Sequence, residues 1–177
     1  MSRVGALLDL LEAYEPSHGE AESFAEILDL LYGDGDVMSA DFFAPGHITA
    51  SAFVVDPDNT RLLLIHHGKL LTWLQPGGHV DPGEGVLEAA IREVQEETGI
   101  VCRPLQRGIF DVDVHPIPAS GPRPAHTHFD VRFLLQATNE NLTESDEVLG
   151  ARWVPFAEVP ELVTDRSVLR AVVKLNA

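Results

Sequence analysis

Cysteine is almost missing from this chain. Cys102 is the single one among 177 residues, which excludes an intramolecular disulfide framework and a cysteine-rich zinc centre. That composition suits a reducing compartment, so a cytoplasmic location is expected. Basic residues are also scarce: 12 Lys and Arg stand against 28 Asp and Glu, a formal charge of −16. Non-specific binding to DNA or RNA depends on Lys and Arg displacing counterions, so neither nucleic-acid binding nor a basic membrane-surface helix is expected. No apolar run approaches the roughly 18 residues of a membrane-spanning helix. The first residues lack a small-residue cleavage site and read poorly as a signal peptide. No segment repeats, and none is of low complexity.

What is present is the composition of a folded domain, 45% apolar and 23% charged. Val4, Leu7, Leu8, Leu11 and Tyr14 form a helical stripe that Pro16 ends. Ser17 and Glu20 have capping-box spacing ahead of a second stripe, Phe24, Ile27, Leu28 and Leu31, and Gly33-Asp34-Gly35-Asp36 breaks it. Residues 1–45 are therefore read as a helical extension packed on a main domain of residues 46–177, with a lid or a dimer contact as the other roles for it. In that main domain Ile48–Val55 and Arg61–Ile65 read as a hairpin around Asp56-Pro57-Asp58-Asn59. Val86–Thr98 reads as a helix with Gly99 as its C-cap. Arg103–Val114 and Thr127–Ala137 read as two long strands around a proline-rich loop. Ala151–Val154 is a short strand, Pro155–Val163 a loop or short helix, and Asp165–Leu175 a closing helix. Mixed strands and helices predict an α/β fold, a mixed sheet sandwiched between helices.

Chemistry concentrates in residues 74–100. On the predicted helix Glu93, Glu96 and Glu97 fall within an arc of about 100°, beside an apolar side formed by Leu87, Ala90, Ile91 and Val94. Three carboxylates so close repel one another unless something neutralises them, and clustered hard oxygens suit Mg²⁺ or Mn²⁺. The bland alternative is a solvated acidic face. Pro76-Gly77-Gly78 ahead of the helix can bring bare backbone up to a phosphate or a metal. Glu84 opens the helix, and Arg92 could fix a carboxylate through a bidentate pair.

Gly78, Glu84 and the run Arg92-Glu93-Val94-Gln95-Glu96-Glu97-Thr98-Gly99-Ile100 match every fixed position of the Nudix box, and Trp73-Leu74-Gln75-Pro76-Gly77 resembles its lead-in. The resemblance, extending from about His47 to the C-terminus, implies the Nudix fold and a hydrolase of nucleoside diphosphates linked to another moiety. It implies that Glu93 and Glu97 are the main Mg²⁺ ligands and that Glu96 is a further ligand or the base. The Gly78 carbonyl would complete the metal site, Arg92 would orient the glutamates and Glu84 would support the metal shell. Some members take the base from outside the box; Glu144 and Glu147 are the candidates here. A small-molecule nucleoside diphosphate derivative is the expected partner, and a homodimer accords with the family's habit. Two other readings remain: an isoprenoid-diphosphate isomerase, against which the complete box speaks, and a non-catalytic ligand sensor, for which the acidic N-terminal extension is a poor DNA-binding segment and the glutamate cluster is undamaged. Pro116 lies about where ADP-ribose-type members carry a proline, and no tyrosine follows the box as in dinucleoside-polyphosphate members.

After the box, Asp111, Asp113 and His115 share one strand face, and His126, His128, Asp130 and Arg132 share a face of the next strand. His126, His128, Asp113 and Arg132 are expected to line a substrate cleft and read a phosphate or sugar; the alternative is a solvent-facing side. His126 and His128, with His115 nearby, could also chelate zinc. His66, His67, Lys69 and His79 lie close enough to the lead-in to touch phosphate, and Trp73 could stack on a base or sit in the core.

Overall fold

Side chains alternate across Gly46–Val55, and this strand, β1, is buried along its whole length. In the computed structural model, which describes residues 2–68, 70–143, 145–146 and 148–176, β1 is the centre of a mixed sheet. It runs parallel to β7 (His126–Ala137), with His47 opposite His128 and Val55 opposite Gln136. It is antiparallel to β2 (Arg61–His67) and β4 (Gly77–His79). β2 also pairs with β3 (Trp73–Leu74) and β8 (Val148–Pro155), and β7 with β5 (Cys102–Pro104) and β6 (Asp111–Ile117).

Each face of the sheet has its own helices. Ile48, Ala50, Ala52 and Val54 of β1 join a core with α1 (Arg3–Glu12), α2 (Ala21–Tyr32) and α3 (Val86–Thr98). Phe53, Val55, Leu62 and Leu64 point the other way, onto α4 (Val159–Leu162) and α5 (Arg166–Leu175). This is the expected α/β sandwich. The ends of α3 and α5 follow from local chemistry. The Gly85 amide donates to Glu88 (2.8 Å) at the start of α3, and Gly99 ends it at φ 72°, where a Cβ is disfavoured. Asp165 accepts from the Ser167 and Val168 amides at the start of α5. No helix among the described residues is long and apolar enough to cross a membrane.

The single strand expected over Arg103–Val114 is two. Pro104 lies opposite Leu135 and Asp111 opposite Arg132. Only Phe133 and Leu134 separate those partners on β7, so Leu105–Phe110 must loop out, with Gly108 at φ 79° in the turn.

Leu7, Leu11, Ile27, Leu30 and Leu31 of the first two helices belong to the same buried cluster as α3 and β1. The helices thus cover the sheet face opposite the functional cleft described below, and no α1 or α2 residue lines that cleft. The Ser17 amide does donate to Glu20 at 2.7 Å, but α2 starts only at Ala21 and the Glu20 side chain makes no cap hydrogen bond to it, so the pair closes the turn ahead of the helix rather than a capping box. Glu20 does more than close that turn. It is fully buried and also accepts from Tyr14 Oη, the Val112 amide (3.1 Å) and Lys174 Nζ (2.6 Å). One carboxylate therefore ties the extension to β6 and α5.

Beside it Asp111, also fully buried, pairs with Arg170 (2.7 Å), Lys174 (3.2 Å) and Arg132 (3.3 Å). Burial pushes its pKa up, but the Arg170 hydrogen bonds and the charges of Arg132, Arg170 and Lys174 outweigh that and hold it below the usual carboxylate range. A depressed folded-state pKa stabilises the fold fully above the unfolded value of about 3.9 and is lost as pH falls through the lower folded value. Acid unfolding is therefore expected below about pH 4. Asp111→Asn should flatten that acid limb while lowering stability at pH 7, as measured by urea titrations across pH; an unchanged limb would show that Asp111 does not drive it.

Candidate active site

The α3 carboxylates are placed by two contacts with the Gly77-Gly78 backbone. The Gly77 amide donates to Glu97 Oε2 at 3.0 Å, and Glu97 is only 6% exposed. A Cβ on Gly78 would stand 2.5 Å from Glu93 Oε1, so glycine is what lets the carboxylate lie against the strand. Arg92 then locks the set. Its Nε and Nη2 grip Glu84 in a bidentate pair, both at 3.0 Å. Nη1 donates to Glu93 (2.9 Å) and Glu96 (2.8 Å), and Nη2 to the His79 carbonyl (2.9 Å). The hydrogen bonds to Glu84 are the largest cause that raises the Arg92 pKa, while Glu84, despite burial, is held below the ordinary range by Arg92. Glu93 and Glu97 face a cleft of ≈ 650 Å³; Glu96, with its side chain 48% exposed, stands outside its lining. Gly78→Ala should push Glu93 aside and cost roughly 10²-fold in kcat, the loss that follows from misplacing a reacting group by about 1 Å. A variant with wild-type kcat and KM would contradict this placement.

The polar face of β6 and β7 forms the far wall and floor. His115 lies opposite His128, Asp113 opposite Asp130 and Asp111 opposite Arg132, so the whole row does share one face. It divides in two. His115, His126 and His128 line the cleft. Arg132 is 2% exposed, and all its nitrogens meet carboxylates: Asp130 at 2.7 Å, Asp113 at 3.2 Å and Asp111 at 3.3 Å. Arg132 and Asp130 also line the cleft, whereas Asp113, expected there, is not among its lining residues and instead braces Arg132. Asp130 also accepts from Ser51 Oγ (2.7 Å) and Thr49 Oγ1 (3.0 Å). Burial, then the neighbouring His47, His115 and His79, push His128 down to about 3, so its imidazole is neutral at physiological pH.

Comparison with known proteins places this geometry. The NUDIX domain profile matches residues 45–174. The chain belongs to the Nudix hydrolase family. It is 36% identical over 106 residues to the m7GpppN-mRNA hydrolase NUDT17 of Xenopus laevis, covering 55% of this chain but only 35% of that protein. It is 32% identical over 117 residues to a probable DHNTP pyrophosphohydrolase of Lactococcus lactis, covering 65% of this chain and 69% of the relative. The fold resembles a MutT Nudix hydrolase from Burkholderia pseudomallei, with TM-score 0.56 and 24% identity over 72% of this chain and 95% of that one. A Nudix hydrolase from Clostridium perfringens gives TM-score 0.54 and 22% identity, over 73% and 96% of the two chains.

Against that family frame, several expected residues take other places and several new ones appear. Glu144 and Glu147, the candidate bases, lie outside the described residues. His79 and His67 line the Nudix cleft; Lys69 is outside the described residues. The Trp73 ring stacks on His66 (5.1 Å between centroids) and lies under the Arg152 guanidinium (4.4 Å), so it is engaged within the protein. The polar cleft-lining residues that escaped the sequence reading include Thr49, Ser51 and Arg123, and Gln75, read only as part of the lead-in, lines it too. The first two had a signal, since His47, Thr49 and Ser51 put a polar residue at every second position of an otherwise apolar strand. Gln75 Oε1 is buried without a hydrogen-bond partner among the described residues, an acceptor at the cleft wall. Arg123 was hidden in the proline-rich loop, where spacing carries no orientation.

Proposed function

We propose that this protein is a Mg²⁺-dependent pyrophosphohydrolase that cleaves the phosphoanhydride of a nucleoside diphosphate linked to another moiety. One observation carries the reading: Glu93 and Glu97 converge on the Gly77-Gly78 backbone inside a cleft large enough for a nucleotide derivative. The donor set fits the ion. Carboxylate oxygens beside a main chain stripped of side chains are hard ligands, which suit Mg²⁺ or Mn²⁺ rather than softer metals. Glu93 and Glu97 would hold it with the Gly78 carbonyl, and Glu96 would join as a further ligand or as base. When bound, the ion polarises a phosphoryl oxygen and acidifies a water.

The protein's own contribution is positioning. Arg92, anchored on Glu84, fixes the Glu93 carboxylate and holds Glu96 on the outer side of the helix. The Gly77 amide fixes Glu97. Fixed orientation lowers the entropic part of the barrier before substrate arrives. Cationic help from the walls is limited, because Arg132 is neutralised by three aspartates. Arg123, which lines the cleft from the loop before β7, would meet a distal phosphate or sugar.

Relatives named for mRNA caps and for a pterin triphosphate share the chemical class, a phosphoanhydride joined to a heterocyclic nucleoside-like group. The test is a panel of ADP-ribose, other nucleoside diphosphate sugars, dinucleoside polyphosphates, nucleoside triphosphates, mRNA cap analogue and isopentenyl diphosphate, with Mg²⁺ and with EDTA. Cleavage into two phosphate-bearing products, or into a monophosphate and pyrophosphate, is expected only with metal. Isomerised isopentenyl diphosphate without cleavage of any other member would replace the proposal with the isomerase reading.

A further inference from the structure

Five of the chain's imidazoles crowd one end of the cleft, and three of them converge in a way the phosphoanhydride chemistry does not use. His47 on β1 is opposite His128 on β7, and His126 lies two residues before it on the same face. One ring nitrogen from each lies within 4.8 Å of the others. The His126 and His128 Nε2 atoms are 3.2 Å apart.

Their tautomers are set by the backbone. His47 Nδ1 lies 3.1 Å from the Phe42 carbonyl and His126 Nδ1 2.8 Å from the Pro124 carbonyl. A carbonyl only accepts, so both Nδ1 atoms carry the proton and both Nε2 atoms present lone pairs. His47 is fully buried, and its Nε2 has no hydrogen-bond partner among the described residues. A buried acceptor left without a donor is costly, so a ligand that takes its lone pair stabilises it. In metal centres this pattern is familiar: one imidazole nitrogen donates to a carbonyl, which aims and enriches the other as a ligand.

We propose that His47, His126 and His128 bind a Zn²⁺ ion through their Nε2 atoms, at a site separate from the glutamates of α3. Three imidazoles with no carboxylate among the converging atoms are borderline nitrogen donors, which favour Zn²⁺ over Mg²⁺. At the usual Zn–N distance of 2.0–2.1 Å, tetrahedral ligand nitrogens stand about 3.3 Å apart, close to the 3.2 Å between His126 and His128. The third imidazole is thus His47 from the neighbouring parallel strand. His115, the partner suggested by sequence proximity, instead directs Nδ1 at Asp113 (3.0 Å). The ion would tie the start of β1 to the start of β7 and, through the Pro124 carbonyl, to the loop that carries Ser120 and Arg123 into the cleft. Its role is to hold that wall.

The test reads metal binding and needs no substrate, so it stands or falls independently of the proposed hydrolysis. Chelator-stripped full-length protein is titrated with Zn²⁺ against a chromophoric competitor in excess Mg²⁺, and with Co²⁺ as a visible-absorption probe. One equivalent of Zn²⁺ should bind, and the Co²⁺ adduct should show the intense visible bands of a tetrahedral nitrogen site. The double variant Glu93→Gln with Glu97→Gln should retain that equivalent. His126→Asn and His128→Asn should each weaken it by more than the roughly 10–100-fold that loss of an outer-shell partner costs. His115→Asn should leave it unchanged. Because His47 is core, circular dichroism must first show that His47→Asn folds; the His126 and His128 variants, checked in the same way, decide the matter if it does not. The inference is overturned if no equivalent survives Mg²⁺ competition, or if binding is lost in the glutamate variant and kept in the histidine variants.

Discussion

Glu97→Gln is expected to abolish turnover while leaving the fold intact. The substitution keeps the shape and keeps an acceptor for the Gly77 amide, 3.0 Å away, so the local structure should hold. It removes the charge proposed to anchor the cation. Metal-borne charge stabilisation contributes several kcal/mol to such transition states, so kcat should fall by about 10³-fold or more. The loss should appear in kcat and in the metal concentration needed for half-maximal rate, with KM for substrate little changed, because the wall residues that contact the distal part of the substrate are untouched. Steady-state kinetics across a Mg²⁺ titration checks this. A variant with wild-type kcat would remove Glu97 from the metal site.

The second large effect concerns stability and lies far from the chemistry. Lys174→Met should destabilise the protein by about 3–5 kcal/mol, because it strands a buried charge. Glu20 is fully buried and Lys174 Nζ is its only cationic partner among the described residues, at 2.6 Å. Asp111 would lose the same ammonium, 3.2 Å away, but keeps Arg170 and Arg132. Pairing Lys174→Met with Glu20→Gln should recover part of the loss, since the neutral glutamine leaves no stranded charge and its one oxygen can still accept from either the Ser17 or the Val112 amide. Urea unfolding of the two single variants and the double variant measures the coupling. Additive losses would mean that the pair is not an energetic unit.

Much of the site was legible because the box encodes its own geometry. The spacing of Glu93, Glu96 and Glu97 on a helix, and the two glycines before it, dictate a carboxylate patch against bare backbone. Helix α3 was read residue for residue, since its stripe and its Gly99 cap are local signals. The alternation of β6 and β7 likewise gave the polar face correctly. What stayed hidden depends on partners distant in sequence. Arg132 reads as a free phosphate ligand until Asp111, Asp113 and Asp130 close on it. Glu20 reads as a helix cap until α5 delivers Lys174 from 154 residues away. His47 could be grouped with His126 and His128 only once β1 was known to pair in parallel with β7, a choice that no local pattern makes. The Leu105–Phe110 loop follows from register, which alternation alone cannot count.

The central claim is that water attacks phosphorus in an anhydride held at the α3 carboxylates. Turnover of a cleaved panel member in heavy-oxygen water, with products resolved by mass, tests it most directly. One heavy oxygen per turnover should enter a single phosphate-bearing product, and only when Mg²⁺ is present. Incorporation at carbon, or equal turnover in EDTA, would contradict it.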